Sequence, residues 1–499
     1  MSAEDLTPSP VFRLRDLILH GSEPPPAEFV ARLRCYPWLI VGVTCIGAFI
    51  GQLDASIVQL ALPTLGRIFD TSLESISWVS LGYLLAFASF LPIFGQLCEI
   101  FGRKLLYLTG FLLFAGASAL CGLAPDLTSL VAFRVLQGIG GAMLGANSMS
   151  VLIKATDQSR RVRALGVFSA AQAIGVSAGP AVGGVLIGTL GWPSVFWVAV
   201  PFGLAAVIIG WLVLPRTDPQ DQDQVFDWRG ALLLAPALTL VVLVLNQVSA
   251  LGPTSLVLIA YTGTAVVLLI VFVRQEHASA SPLVDLRMLR RPAFLGGIVA
   301  CALGYALLYG MFFLTSFALV SGYHDSPTLA GLKLAVIPVA IGIVAPFSGD
   351  LSKRLGPRLL SVAAMAVCVT ALLVLSAIST EPSTILWIDF VGLAGFGAGL
   401  GLFIAPNNHA TINAAPSSRS GEAGAMLNLM RVLGTSLGIA SASSMLSWQM
   451  QVVSGTNNRR LALFSEHHLM EAVRSGLLML AVFAVIAGGI SIIRKTAAA

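Results

Sequence analysis

The stretch PIFGQLCEIFGRKLL, from Pro92 to Leu106, recurs in the second half of the chain as PFSGDLSKRLGPRLL, from Pro346 to Leu360. The two copies share a Pro, two Gly, a Leu, a basic residue and a final Leu-Leu pair at a constant offset of 254 residues. Each copy ends an apolar run and enters a basic connector. Similarity at a fixed spacing is the signature of a duplicated unit. The sequence therefore predicts two related halves, with chance similarity between two glycine-containing loops as the competing explanation.

The composition is that of a membrane protein. The 499 residues are 56% hydrophobic and only 11% charged, whereas about 25% of the residues of a soluble domain are charged. A membrane-spanning helix needs about 20 mainly apolar residues. We predict an all-α integral membrane protein with fourteen transmembrane helices. They begin near Leu39, Ile76, Leu105, Leu130, Ala164, Val195, Ala231, Leu256, Ala293, Leu329, Leu359, Ile385, Ala423 and Ser475.

The basic residues predict an orientation. With the N-terminus in the cytosol, most of the 29 Lys and Arg residues fall on the cytosolic side, while Arg67, Arg459 and Arg460 fall outside. Cytosolic loops carry such an excess of Lys and Arg. We therefore expect a multi-pass protein of the plasma (inner) membrane with both termini in the cytosol. The segment from Val11 to Leu19 has two interpretations, an interfacial helix and a disordered tail.

In this topology both copies of the repeat face the cytosol, so the duplication is parallel and the first six helices correspond to the last six. The predicted parts are a cytosolic N-terminal tail (1–36), an N-terminal six-helix lobe (37–214), a linker with two inserted helices (215–292), a C-terminal six-helix lobe (293–493) and a cytosolic C-terminal tail (494–499). Parallel repeats are how two-lobed transporters rock around a central site.

Four motifs carry a family resemblance. They are LDASIVQLALP (Leu53 to Pro63), GQLCEIFGRK (Gly95 to Lys104), RVLQGIGGA (Arg134 to Ala142) and GVSAGPAVGG (Gly175 to Gly184). In this order they resemble the major facilitator superfamily, specifically its fourteen-helix drug/proton antiporter branch, over essentially Trp38 to Ile493. The chain departs from the family pattern at Glu99, where Asp is usual, and at Ile100, where a base is usual.

Two charged residues are candidates for proton coupling. Asp54 lies near the middle of the first predicted helix, where an ionised carboxylate costs several kcal/mol unless it pairs or faces water. Protonation and binding of a cation could compete at such a group. The resemblance implies that Arg134 relays protons or tunes this carboxylate. The structural alternatives are a permanent salt bridge between the two residues and an Asp54 that caps a broken helix.

Glycines form a smooth face on the fifth predicted helix. Gly175, Gly179 and Gly183 are spaced four apart, with Gly184 beside them, so another helix backbone can approach closely. Pro180 removes one helical hydrogen bond and bends the helix. The functional interpretation is a hinge or seal for one conformation, which the resemblance associates with exporters. Ordinary small-residue packing is the alternative.

The repeated loop suits a conformational latch. An acid at a helix end followed by Gly and bases can meet a charged partner across the lobes in one state only. A turn that merely satisfies the positive-inside bias is the alternative. The predicted latch comprises Gly95, Glu99, Gly102, Arg103 and Lys104, with Asp350 and Arg354 as its counterpart in the second lobe.

Other polar and aromatic residues of the helices are expected to line a substrate cavity. Tyrosines could stack on a lipophilic substrate, although core packing is their default role. Lys333 and Asp389, close to the outer boundary, are expected to snorkel to the surface. The predicted cavity residues are Gln59, Asn147, Gln172, Tyr305, Tyr309, Asn407, Asn428 and Arg431.

These features together predict proton-coupled export of small amphipathic compounds by alternating access, which the resemblance specifies as multidrug efflux. The alternatives are a proton-coupled exporter of an endogenous metabolite, siderophore or lipid and, third, a solute symporter. An ATP-driven pump is disfavoured because GxxxxGK[ST] is absent, and a membrane enzyme is disfavoured because HExxH is absent. We expect a monomer in the lipid bilayer that is not an enzyme, uses a proton gradient, and has no cofactor, metal or nucleic acid partner. A periplasmic adaptor is left open.

Overall fold

Fourteen long helices dominate the computed structural model. It describes residues 23, 25–216, 227–252, 254–279, 283, 286–378, 386–416, 420–454 and 466–493, without a few side chains inside helices, among them that of Glu99. The helices are α1 (Tyr36–Ile68), α2 (Leu73–Phe101), α3 (Arg103–Gly122), α4 (Leu127–Ala155), α5 (Gln158–Leu190), α6 (Ala199–Val213), α7 (Trp228–Leu251), α8 (Leu256–Ala278), α9 (Pro292–Phe317), α10 (Pro327–Leu355), α11 (Pro357–Ile378), α12 (Leu386–Asn413), α13 (Ser420–Ser454) and α14 (Glu466–Ile493).

The predicted helix count is confirmed. Fourteen helices are long and apolar enough to cross a membrane, when the short helix Ser194–Trp197 is counted together with α6. The predicted starts are close to the observed ones except in α14. That helix begins at Glu466 rather than near Ser475, because its first turns carry charged residues that a search for apolar runs leaves out. The segment from Val11 to Leu19 lies outside the described residues, as do Arg459 and Arg460.

Local chemistry determines where several helices begin. Asp126 caps α4 by accepting a hydrogen bond from Ser129 N at 2.8 Å, and the Ser129 hydroxyl bonds back to the Asp126 N–H. Asp227 caps α7 by accepting from Gly230 N, also at 2.8 Å. Such caps satisfy backbone donors that a helix start leaves without a partner. Prolines begin α9 and α10, where the missing N–H does no harm.

The packing pattern repeats between the two halves. In the first half α1 packs on α5, α2 on α4, and α3 on both α4 and α6. In the second half α9 packs on α13, α10 on α12, and α11 on both α12 and α14. Each pair maps onto the other when the first six helices are matched in order to the last six. This agreement supports the parallel duplication that the sequence predicts.

The duplicated loop has the same backbone in both copies. Gly102 separates α2 from α3 with φ 96° and ψ 137°, and Gly356 separates α10 from α11 with φ 81° and ψ 147°. Only glycine adopts this region readily. The positions differ by the same 254 residues as the sequence repeat. We call this end of the bundle the basic end, because Lys and Arg cluster in its connectors.

The two halves meet along three helix pairs. Helix α5 packs on α10, α2 on α13, and α1 on α9. The inserted helix α7 packs against α2 and α13, so it stands beside the junction of the halves, and α8 packs on α7. Large apolar residues such as Ile208, Leu232, Val267 and Val485 are exposed on the outside of the bundle, as expected for a surface in contact with lipid.

Replacing Gly356 with Ala should destabilise the fold by about 1–3 kcal/mol, because φ 81° with ψ 147° is strained for any residue with a Cβ. Open space surrounds the position, so the effect reports backbone strain alone. Thermal unfolding in detergent measures it as a lower Tm. The control is Gly349→Ala, which has equally open surroundings within α10 and should be neutral or stabilising. Equal Tm values for Gly356→Ala and the unchanged protein would contradict the strain.

Candidate transport site

A cavity of about 1310 Å³ lies between the two halves. Its mouth is at the basic end, where Gly95 of α2, Glu422 of α13 and Arg290 before α9 line it. Its deep part is lined by Gln52 of α1, Tyr83 of α2 and the α9 residues Tyr305 and Tyr309. The volume exceeds the usual range of small-molecule sites, roughly 300–1,000 Å³, so the cavity is large enough for a drug-sized compound.

Contacts between the halves close the opposite end. Arg67, at the end of α1, donates from Nη2 to Val320 O at 3.0 Å. Ser443 of α13 donates to Leu73 O, at the start of α2, at 3.1 Å. Ser447 Oγ bonds to the buried carboxylate of Glu74. These three links join one half to the other, so the described part of the chain is held together at the end opposite the mouth of the cavity.

Asp54 and Arg134 form a buried ion pair. Arg134 Nη1 lies 2.7 Å from Asp54 Oδ2, and each side chain is 1% exposed. Gln137 Nε2 donates to the other carboxylate oxygen at 2.8 Å, and Arg134 Nε donates to Val79 O at 2.9 Å. Since α1 packs on α4, both charges lie inside the first half and neutralise each other.

One aromatic ring separates this ion pair from the cavity. The guanidinium carbon of Arg134 lies 4.4 Å from the centre of the Tyr83 ring, and Tyr83 lines the cavity. Gln52 and Ala55, on either side of Asp54 in sequence, also line the cavity, whereas the Asp54 carboxylate is buried against Arg134 and Gln137. In this conformation the salt bridge named as an alternative is present. Both carboxylate oxygens of Asp54 are engaged in this state, and its role in proton coupling stays a prediction.

Comparison with known proteins agrees with this arrangement. The family model described as Major Facilitator Superfamily matches residues 44–439. The chain belongs to the major facilitator superfamily. Among its relatives, the riboflavin transporter RibZ of Clostridioides difficile is 30% identical over 82% of this chain and 88% of RibZ. The multidrug resistance protein Stp of Mycobacterium tuberculosis is 32% identical over 81% of this chain and 75% of Stp.

Two further comparisons concern another relative and the fold. The tetracenomycin C resistance and export protein of Streptomyces glaucescens is 30% identical over 82% of this chain and 76% of its own length. A bacterial homologue of the human lysosomal transporter Spinster, solved in an inward-facing and unoccupied conformation, matches with a TM-score of 0.69 at 16% identity. That match covers 93% of this chain and 97% of the other. Family and fold are thus those of major facilitator superfamily transporters.

Five of the eight residues that the sequence predicts for the cavity line it in the structure. Gln172, Tyr305, Tyr309, Asn428 and Arg431 line the cavity. The other three are buried elsewhere in this conformation. Gln59 donates to Ser80 Oγ of α2 at 3.1 Å, Asn147 to Met143 O of its own helix at 2.9 Å, and Asn407 to Gly297 O of α9 at 3.0 Å.

Some site residues are absent from the predicted set. Gln137 bonds to both members of the ion pair and to Ser118 Oγ at 2.7 Å. Its signal is present in the sequence, because it lies within the RVLQGIGGA motif one turn after Arg134. Gln52 lines the cavity together with Ala48 and Ala55. Their helical spacing is a weak signal, since it fits a packing face equally well.

The predicted latch residues make contacts within their own lobes. Lys104 is buried, with Nζ 5.9 Å from the centre of the Trp211 ring. Glu23, from the N-terminal segment, accepts a hydrogen bond from Leu105 N at 3.1 Å beside Gly102. Arg103 is also buried and Gly95 lines the cavity, while the side chain of Glu99 lies outside the described part.

The counterpart of the latch in the second half is exposed. Asp350 pairs with Lys353 at 3.3 Å, with more than four-fifths of each side chain exposed. Arg354 is exposed on the same turn of α10. Surface pairs of this kind contribute little stability. The latch counterpart in the second half thus makes its described ion pair within α10, and the role of the latch stays a prediction.

The glycines of α5 divide into two groups. A Cβ at Gly175 would lie 2.5 Å from Phe49 O, and one at Gly183 2.6 Å from Ile57, while Gly179 faces Ser56. All three face α1 within the same lobe. Pro180 lies inside α5 and its carbonyl faces α10. A Cβ at Gly184 would overlap Pro327 O and approach Gly331 Cα to 3.1 Å, so Gly184 contacts the other lobe.

Lys333 does not snorkel to the surface, contrary to the prediction. It is buried, with Nζ 2.7 Å from Asp325 Oδ2. Asp389 is half-buried nearby. Burial, followed by the charges of Asp389 and Asp325, raises the pKa of Tyr323 to about 12. The fold of the α9–α10 loop supplies Asp325 as a partner, which the hydropathy of α10 alone could not reveal.

Replacing Gly184 with Leu should weaken the closed end and favour a conformation that is open there. Overpacking a tight contact costs about 1–3 kcal/mol, and this contact exists only while the lobes touch. Spin labels at Pro125→Cys and His324→Cys lie one on each lobe at the closed end. Double electron–electron resonance should give a longer distance between the two labels in the Gly184 variant. Gly166→Leu, in open space on the same helix, is the control. An unchanged distance distribution in the Gly184 variant would refute the seal.

Proposed function

We propose that the protein exports small amphipathic compounds in exchange for protons by alternating access. The main support is the position of Asp54 and Arg134, a buried ion pair one tyrosine ring away from a cavity that opens at one end of the bundle. Intramembrane carboxylates of this kind mark proton pathways. The named functions of Stp and of the tetracenomycin C protein favour efflux.

The basic end is placed in the cytosol under this proposal, because Lys and Arg concentrate in its connectors. The conformation described above is then inward-facing, and the opposite, closed end faces the exterior. Both termini are cytosolic, in the plasma or inner membrane. The cavity lies within a single chain, which suits a monomer, and a periplasmic adaptor stays an open alternative.

The ion pair suggests how protonation is coupled to the lobes. While Asp54 is ionised, it neutralises Arg134 at 2.7 Å. Protonation of Asp54 would leave the guanidinium buried without a counter-charge, which is strongly unfavourable. Movement of Arg134 toward water or toward another hydrogen-bond acceptor would then lower the free energy. Tyr83 packs on the guanidinium of Arg134 and also lines the cavity. Cargo in contact with Tyr83 would therefore hinder or favour this movement of Arg134.

A metabolite exporter is the second candidate function, and the similarity to the riboflavin transporter RibZ favours it. The same geometry serves an endogenous metabolite, siderophore or lipid as cargo. Symport of a solute is the third alternative. Proteoliposomes with an imposed pH gradient separate the two exporters from the symporter, since antiport moves cargo against the proton flow and symport moves it with the flow. A panel of labelled candidate compounds in the same assay separates the two exporters.

The orientation can be measured with cysteine labelling in intact cells. A membrane-impermeant maleimide should label Pro125→Cys, in the α3–α4 connector, without permeabilisation. It should reach Cys35, exposed before α1, only after permeabilisation. Cys35→Ser identifies the native signal. Labelling of Cys35 in intact cells would reverse the assigned sidedness.

Asp54→Asn should abolish transport driven by a pH gradient. It should also cost about 3–5 kcal/mol of stability, because it leaves Arg134 buried without its partner. The double variant Asp54→Asn with Arg134→Gln removes both charges, so it should recover most of the stability while transport stays absent. Proteoliposome flux and thermal unfolding measure the two effects separately.

The matched control is Asp325→Asn, which breaks a second buried ion pair, with Lys333. It should lower stability but leave the flux coupled to protons. Wild-type coupled transport by the Asp54 variant would disprove a proton-carrying role. Equal loss of coupling in both variants would show that stability alone explains the defect.

A further inference from the structure

Arg431 places a positive charge deep in the cavity. It lies nine residues beyond Glu422 on α13, about 14 Å along the helix at 1.5 Å per residue. It lines the cavity and is half-buried. Its guanidinium forms no ion pair with any carboxylate in the described part of the chain, in contrast to Arg134 and Lys333.

The acidic residues of this region either lie at the mouth of the cavity or already bind another side chain. Of the described residues that line the cavity, Glu276 and Glu422 are the acidic ones, and both lie within a helical turn or so of a helix end at the mouth. Asp54 is almost fully buried and is bound by Arg134 and Gln137. The deep part of the cavity is therefore electropositive in this conformation.

Aromatic rings surround the guanidinium. Its central carbon lies 5.9 Å from the centre of the Tyr305 ring, and Tyr309 and Tyr83 line the same region. Arg presents a planar fork that binds carboxylates through two parallel hydrogen bonds. Tyrosine rings offer faces for stacking. The combination suits a flat aromatic compound that carries an oxyanion.

We propose that Arg431 is the anion-binding residue of the cavity and that the preferred cargo is an aromatic compound bearing a carboxylate or a comparable oxyanion, rather than a lipophilic cation. This inference rests on the proposed transport function and specifies its substrate class. Water hydrates Arg431 while the cavity is empty. Cargo that displaces this water must replace its hydrogen bonds, which an anion does and a cation cannot.

Two xanthene dyes test the charge preference with one ring system. Fluorescein is an anion with a carboxylate, and tetramethylrhodamine methyl ester is a cation with that group masked. Fluorescence anisotropy with the full-length protein in nanodiscs, corrected with empty nanodiscs, gives both Kd values. We expect fluorescein to bind at least about tenfold more tightly, as for hydrogen bonds to a charged group.

Variants assign the preference to this residue. Arg431→Gln should weaken fluorescein binding at least about tenfold and leave the cation unaffected or tighter. Arg431→Lys keeps the charge without the fork, so it should retain part of the preference. If Arg431→Gln fails to fold, the dye preference of Arg431→Lys provides the test. Arg32→Gln, which removes an exposed charge outside the cavity, should change neither Kd.

Binding at equilibrium needs no proton gradient, so this test is independent of coupling. Loss of gradient-driven flux with intact dye preference would overturn the antiport proposal and leave the anion site standing. The anion site is overturned if the unchanged protein binds the cation as tightly as fluorescein or more tightly, or binds neither dye. It is also overturned if Arg431→Gln and Arg431→Lys both keep the full preference.

Discussion

The pair of Asp54 and Arg134, 2.7 Å apart and almost fully buried, is the interaction around which the first lobe is organised. Neither charge is tolerable there alone, because removal of one partner leaves the other without compensation in a medium of low polarity. Gln137, Ser118 and the Val79 carbonyl complete the hydrogen bonding. The packing of α1, α2, α3 and α4 around these groups therefore serves a polar cluster as well as an apolar core.

Close helix contacts through glycine determine how the lobes can move. Gly175, Gly179 and Gly183 fasten α5 to α1 inside one lobe, whereas Gly184 meets Gly331 of α10 across the two lobes. Small residues allow helices in lipid to approach closely and gain dispersion energy. The first three glycines thus belong to contacts within one lobe, and Gly184 belongs to a contact between the lobes that alternating access, as proposed above, would open. One sequence motif serves two mechanical roles.

The ring of Tyr83 lies between the buried ion pair, which we propose as the proton site, and the cavity that we propose for cargo. Tyr83 stands between the buried ion pair and the open space, and Arg431 with Tyr305 faces it from the second lobe. Under both proposals, cargo at Arg431 would contact the second lobe directly and the ion pair of Asp54 and Arg134 only through the Tyr83 ring. Coupling between cargo binding and protonation across such a contact would depend on movement of packed side chains. The position of the Tyr83 ring would then influence this coupling as much as the charges do.

The sequence by itself determined the class of protein, the fourteen helices and the duplication. These follow from local properties: runs of apolar residues satisfy their own backbone in lipid, and the repeated loop needs glycine at Gly102 and Gly356. Only the tertiary structure decided which face of each helix meets which neighbour. Gln59 and Gln172 are equally polar in the sequence, yet the first packs on Ser80 and the second lines the cavity. Likewise the partner of Asp54 lies 80 residues away and that of Lys333 in a loop, because such pairs depend on how helices are rotated and packed, which hydropathy does not encode.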